Sequence, residues 1–181
     1  MTLDIWTIPG FMPEDYCKEM IAWAEDLGFV DAPITTREGA VRDEQTRNNQ
    51  RVVIDDHELA NSLWSMLRQH VPVFVRGCQA IGLNERFRFY RYERGQQFRG
   101  HIDAAFVRSN GEHSLLTFMI YLNDGFEGGE TSFPSQIVKP ERGLALVFRH
   151  DIFHEGRAVL KGRKYVLRTD VMFNPVGRLS G

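Results

Sequence analysis

From Glu85 onward the chain is a succession of short strand-like runs separated by glycine, proline and charged turns, and few folds accommodate such a succession. Phe87-Arg88-Phe89-Tyr90-Arg91-Tyr92 alternates aromatics and arginines. Ser114 to Leu122 is an apolar run closed by Asn123-Asp124-Gly125. Gln136 to Lys139, Gly143 to Arg149, Glu155 to Leu160 and Lys164 to Phe173 follow. Ahead of them the spacing predicts two helices. Pro13 to Leu27 opens with proline and two acids, repeats Tyr16, Met20, Trp23 and Leu27, and stops at Gly28; Asp55 to His70 repeats Leu59, Leu63, Met66 and Leu67. Gln50 to Asp55 reads as a short strand. Helices followed by about seven or eight strands predict a mainly β chain with N-terminal helices (α+β), a β-sandwich or jelly roll with helices packed on one sheet. At 181 residues a single domain, 1–181, is expected, with 1–84 as helical support and lid segment and 85–175 as the jelly-roll core.

The last strand predicts its own facing. Tyr165, Leu167, Thr169, Val171 and Phe173 fall on one side, and Lys164, Arg168 and Asp170 on the other. The apolar side is expected under the helices and the charged side in the mouth of the barrel. The formal charge of −2 argues against a dedicated nucleic-acid binder, although 18 of the 22 basic residues are arginine, the better partner for carboxylate or phosphate. Cys17 and Cys78 are isolated, so neither a disulfide framework nor a thiolate metal site is expected. No run approaches a membrane span, and Met1-Thr2-Leu3-Asp4 lacks a signal-peptide pattern; a cytoplasmic setting with no membrane partner is the expectation.

Within this frame, three residues form a candidate metal site. His101 and Asp103 are two apart, so on a strand or strand end both face the same way and can reach one ion. His154 lies just past a strong strand and before Gly156. Two imidazoles and one carboxylate are the donor set that holds a divalent iron on one face and leaves the opposite positions open. His150 is the rival third ligand, four residues before His154 as in a helical zinc pair, but the strand character of Leu144 to Phe148 removes the reason for that spacing. His57, His70 and His113 read as surface or structural residues.

At these residues the chain resembles the prolyl 4-hydroxylase-like group of iron(II)- and 2-oxoglutarate-dependent dioxygenases. The resemblance runs from Arg91 to Phe173: Arg91-Tyr92-x-x-Gly95-x-x-Phe98-x-x-His101-x-Asp103, then Leu116-Thr117-x-x-x-Tyr121-Leu122-Asn123. Gly128-Gly129-Glu130-Thr131-x-Phe133-Pro134, Val138-x-Pro140-x-x-Gly143, His154-Glu155-Gly156 and Gly162-x-Lys164-Tyr165 complete it in the family's order.

The resemblance implies a double-stranded β-helix in which His101, Asp103 and His154 hold Fe(II), with 2-oxoglutarate and dioxygen as cosubstrates and ascorbate as a further candidate. It places Lys164 at the distal 5-carboxylate of 2-oxoglutarate, Tyr92 beside it and Thr117 as a third contact. Arg168, on the same face as Lys164, is the competing carboxylate clamp. The implied reaction is hydroxylation of an unactivated C–H, first of a prolyl residue in a protein or peptide, or else of a free amino acid or small metabolite. Nucleobase demethylation, a zinc or manganese jelly-roll enzyme and a non-catalytic binding module are the competing readings. The polar stretch from Asp31 to about Gln50, with Thr35, Arg37, Arg42, Arg47, Asn48 and Asn49, is a candidate lid together with Arg51. The loop Ala105 to Glu112 is the other lip of the expected mouth.

Overall fold

The strand Lys164–Pro175 is the spine of the larger sheet. One edge pairs antiparallel with His113–Tyr121, and the other pairs first with Arg86–Tyr92 and then with Cys78–Leu83. Beyond His113–Tyr121 lie Ala145–Arg149 and Ile5–Ile8; beyond Arg86–Tyr92 lie Gln50–Asp55 and Val30–Asp31. Among the described residues this sheet has nine strands, and a second sheet has four, in the order Ile137–Val138, Thr131–Ser132, His154–Gly156 and Phe98–His101. The computed structural model describes residues 4–36, 39–41 and 43–175; Arg37 and Arg42 of the expected lid lie outside them.

The period of two along each strand sorts the side chains into two cores. Phe87 and Phe89, Leu116 and Phe118, Leu167, Val171 and Phe173 point to the helical side. There they meet Cys17, Met20 and Ala24 of the helix Glu14–Leu27 and Leu59, Leu63 and Leu67 of the helix His57–Leu67. Tyr90, Tyr92, Tyr121, Phe148 and Val166 point the other way and pack with Val138 of the smaller sheet and with Phe133, just past its strand Thr131–Ser132. The result is a double-stranded β-helix with helices against its larger sheet. Lys164, Arg168 and Asp170 fall on the side facing the smaller sheet, and Lys164 and Asp170 are buried there.

The helix ends follow local chemistry. Asp56 caps the second helix, its carboxylate accepting from the Leu59 N–H at 2.9 Å. Its last turn tightens into a 3₁₀ turn, Arg68–His70, so the α-helix is shorter than the periodicity suggested. Pro13 flanks the first helix, and Gly28 ends it at φ +82°. Gly143 has a positional duty: at φ +76°, its absent Cβ would lie 2.2 Å from the Met12 carbonyl oxygen. That close approach lets the Met12 N–H donate to the Gly143 carbonyl at 3.1 Å and ties the start of the helical layer to the sheet.

Three features depart from the strand reading. Ile5–Ile8 and Cys78–Leu83 are strands of the larger sheet contributed by the first 84 residues, which therefore build sheet as well as helical support. Both are short, and Cys78–Leu83 contains a glycine, so their strand state comes from pairing with Ala145–Arg149 and Lys164–Pro175 rather than from their own pattern. The run 155–160 is two strands, His154–Gly156 and Val159–Lys161, in different sheets. The polar segment holds a small hairpin, Ile34–Thr36 with Gly39–Val41, and then a turn whose Thr46 carbonyl accepts from the Arg99 N–H at 2.9 Å.

Candidate metal and cosubstrate site

Pairing in the smaller sheet assembles the triad. His101 and His154 are directly opposed across an antiparallel ladder, which brings their ring centroids to 4.3 Å. Two residues past His101, the Asp103 N–H donates to the His150 carbonyl at 3.1 Å, holding the carboxylate beside the histidines. His101 Nε2 lies 3.5 Å from Asp103 Oδ1 and His154 Nε2 lies 3.7 Å from Oδ2. The three residues can each offer a ligand atom within 4.8 Å of the others, the convergence one divalent ion requires.

Both imidazoles are set in the ligating tautomer. His101 Nδ1 lies 2.8 Å from the Arg99 carbonyl and His154 Nδ1 lies 2.9 Å from the Ile152 carbonyl. A carbonyl only accepts, so each Nδ1 carries the proton and each Nε2 keeps its lone pair for a metal. Burial pushes the His154 pKa down to about 4, ahead of the opposing pull of Asp103, and the ring is neutral. Burial alone would raise the Asp103 pKa, but Arg168, His101, His154 and Thr117 together hold it well below the usual carboxylate range. Neutral imidazoles and an ionised carboxylate are the protonation states a metal needs. Phe98 stacks on His101 at 3.5 Å between centroids, and Phe148 meets His154 edge-on at 4.5 Å, fixing both rings.

Behind Asp103 runs a directed chain of hydrogen bonds. The Thr117 hydroxyl donates to Asp103 Oδ2 at 2.6 Å, so it must accept from His150 Nδ1 at 2.9 Å. Ser114 Oγ accepts from the Phe106 N–H and donates to His150 Nε2, both at 2.8 Å. Every member is satisfied with His150 neutral, and burial lowers the His150 pKa accordingly. His150, weighed from sequence as a rival ligand, thus sits behind the carboxylate. The structure places Thr117 on the metal-facing carboxylate, where the sequence had it as a cosubstrate contact. Thr117→Val keeps the volume and removes the orienting bond, so the iron(II) dissociation constant should rise about tenfold. Competitive titration against a chelator measures it; an unchanged constant would show that the hydroxyl orients nothing.

Lys164 lies in a separate recess. It is 2% exposed, donates to the Gly129 carbonyl at 2.6 Å, and holds its Nζ 4.9 Å from the Tyr92 ring centroid and 5.5 Å from that of Tyr121. Tyr121 was not singled out from sequence, although it shares a strand face with Thr117 at the i, i+4 spacing that would have pointed to it. Its hydroxyl bonds the Thr131 hydroxyl at 2.6 Å, and Thr131 lines the narrow cleft that reaches the triad. Arg168 takes a different position: its Nη2 lies 3.0 Å from Asp103 Oδ1 and 3.5 Å from Asp170 Oδ1. Lys164 and Tyr92 therefore share one recess, while Arg168 and Thr117 both contact Asp103.

A buried ammonium in an aromatic recess beside a 2-His-1-carboxylate triad inside a double-stranded β-helix defines a class, the metal-dependent oxygenases. Residues 87–169 match the family model described as the 2OG-Fe(II) oxygenase superfamily. A probable prolyl 4-hydroxylase of Arabidopsis thaliana is 25% identical, the match covering 87% of this chain and 65% of that protein. The chain thus spans about two thirds of the length of that curated relative. The viral collagen prolyl hydroxylase of Paramecium Bursaria Chlorella virus-1, solved with 2-oxoglutarate, superposes with a TM-score of 0.66 at 20% identity, covering 94% of this chain and 96% of that one. A Trichoplax adhaerens prolyl hydroxylase, solved with a hypoxia inducible factor peptide, gives 0.74 at 17% identity, covering 94% and 84%. These matches support a 2OG-Fe(II) oxygenase similar to the prolyl 4-hydroxylases, and the chemistry of that superfamily uses Fe(II), 2-oxoglutarate and dioxygen. Among the described residues no helix is long and apolar enough to cross a membrane.

Proposed function

We propose that the protein is an iron(II)- and 2-oxoglutarate-dependent dioxygenase that hydroxylates an unactivated C–H, with a prolyl residue of a protein or peptide as its substrate. The observation that carries the reading is the convergence of two tautomer-locked imidazoles and one ionised carboxylate, with a buried lysine in an adjoining recess. The iron and its cosubstrate supply the oxidising chemistry when bound. His101, Asp103 and His154 hold the metal on one face, and the Thr117–His150–Ser114 chain keeps the carboxylate from turning.

Lys164 receives the 5-carboxylate of 2-oxoglutarate, with Tyr92, Tyr121 and Thr131 around it. The cleft from the triad toward Thr131 measures only about 40 Å³, so a five-carbon dicarboxylate must shift the side chains that line it. Phe98, Phe133 and Phe148 pack against the two histidines and give the site apolar walls. The prolyl substrate follows from what the relatives are, and the reading of a free amino acid or small metabolite stands beside it because the open side of the triad is rich in arginine.

Anaerobic titration of metal-stripped protein with iron(II) and then 2-oxoglutarate tests the reading through the weak visible charge-transfer band of the chelate. The wild type should develop the band and His154→Ala should not. Wild-type protein that binds iron and gives no band would end the dioxygenase reading.

A further inference from the structure

A cavity of about 390 Å³ opens from the triad, a size suited to a small ligand or a single residue of a chain. Four arginines line it, Arg47, Arg51, Arg88 and Arg168, against two carboxylates, Asp103 and Asp170. Both carboxylates are engaged. Asp103 belongs to the triad and pairs with Arg168, and Asp170 lies 3.4 Å from Arg88 and 3.5 Å from Arg168. Among the described residues, Arg47 and Arg51 have no ion pair with a carboxylate of the cavity.

Arg47 is the informative one. It is 6% exposed, and its guanidinium carbon lies 4.6 Å from the Tyr90 ring centroid and 4.3 Å from that of Phe98. Its Nε donates to Asn49 Oδ1 at 2.8 Å, while its buried Nη2 has no hydrogen-bond partner among the described residues. Burying a guanidinium between two rings with one nitrogen unpaired is costly unless an anion completes it. The field around it is positive. Burial should raise the Tyr90 phenol pKa, yet Arg47, Arg168 and Arg88 lower it, and Arg51 is depressed by burial and then by Arg47 and Arg88. Phe98, over which Arg47 lies, stacks in turn on His101 at 3.5 Å between centroids, so the guanidinium and a triad imidazole contact the same ring.

We propose that this cavity takes a substrate bearing a carboxylate on the reacting residue or on its immediate neighbour, and that Arg47 and Arg51 bind that carboxylate, with Arg88 beside them. The proposal rests on the dioxygenase reading above and narrows its substrate class. A guanidinium's planar fork matches a carboxylate in two parallel hydrogen bonds, which a neutral amide cannot reproduce. The carboxylate comes either from the free acid of the reacting residue or from an acidic neighbour in a peptide.

Two matched probe pairs separate these sources: N-acetylproline against its amide, and acetyl-Pro-Glu-amide against acetyl-Pro-Gln-amide. Binding to the iron(II)- and 2-oxoglutarate-loaded protein is followed by calorimetry under nitrogen. In at least one pair the carboxylate member should bind about tenfold more tightly, and Arg51→Gln should reduce that preference to within about twofold. The pair that shows the preference names the source. Arg47→Gln should behave likewise, and Arg47→Lys, which retains the charge, distinguishes lost recognition from lost folding. The proposal is overturned if neither pair discriminates, if no probe binds at millimolar concentration, or if the preference survives Arg51→Gln. It is also overturned if the arginine variants weaken 2-oxoglutarate instead, because the cluster would then serve the cosubstrate. Failure of the wild type to form the iron–2-oxoglutarate chelate would sink the dioxygenase reading; repeating the titration on metal-free protein still measures the anion preference.

Discussion

Asp103→Ala is expected to abolish iron-dependent consumption of 2-oxoglutarate and, independently, to weaken the metal-free fold. The first effect follows from losing the single anionic donor of the triad. The second follows from what Asp103 does for Arg168, whose side chain is 15% exposed, with a buried Nε that has no partner among the described residues and an Nη2 that lies 3.0 Å from Asp103 Oδ1. Without that carboxylate the guanidinium depends on Asp170 at 3.5 Å, which also serves Arg88. Removing one partner of a buried ion pair costs about 3–5 kcal/mol, and the residual contact to Asp170 places this case at the lower end, about 3 kcal/mol. Urea denaturation of the metal-free proteins measures it. The double variant Asp103→Ala/Arg168→Met should recover most of that stability and none of the iron binding. If Asp103→Ala alone is as stable as wild type, Arg168 is not held by Asp103, and the electrostatic account of the triad is wrong.

How far the site could be read from the chain depends on whether its geometry is local. His101 and Asp103 are legible because a two-residue spacing on a strand end puts both side chains on one face. The charged side of Lys164–Pro175 is legible for the same reason, since Lys164, Arg168 and Asp170 alternate with Tyr165, Leu167 and Thr169. The division of labour between Lys164 and Arg168 is not. It depends on register, with Lys164 opposite Tyr92 at one end of the strand pair and Arg168 opposite Met119 and Arg88, within reach of Asp103. The Thr117–His150 bond joins residues 33 apart, and Arg47 reaches Phe98 through a single bridge between two distant segments. Those contacts are set by how two sheets and a polar loop close on each other, and no periodicity encodes them. The same holds for the strands Ile5–Ile8 and Cys78–Leu83, whose partners come from the far end of the chain.

Lys164→Met should cost the protein its cosubstrate and yet stabilise it when the cosubstrate is absent. Among the described residues no carboxylate forms an ion pair with the enclosed Lys164 and its hydrogen bond runs to the Gly129 carbonyl, while the opposing charge of Glu130 ranks behind burial. Burial pushes its pKa from 10.5 down to about 7. In the unfolded chain the same group titrates near its ordinary value, so between pH 7 and 10.5 the unfolded state binds a proton that the folded state does not. Stability therefore rises with pH across that window, by about 1.4 kcal/mol per pH unit at most. Below pH 7 the amine is charged in both states and the full burial penalty applies; above pH 10.5 it is neutral in both and the penalty is gone. Methionine has nearly the same shape and no charge to bury. Metal-free Lys164→Met should therefore melt above wild type at pH 6–7, with the difference closing as the pH approaches 10.5. In the same variant the 2-oxoglutarate concentration needed for half-saturation should rise about 100-fold, because the 5-carboxylate loses its charged partner. Wild-type 2-oxoglutarate affinity should itself fall as pH rises above 7, since binding must first return a proton to the amine. Thermal melts and chelate titrations from pH 6 to 10 measure all three. A variant less stable than wild type at every pH would instead make Lys164 a structural residue, and the recess around Tyr92, Tyr121 and Thr131 would no longer mark where the dicarboxylate ends.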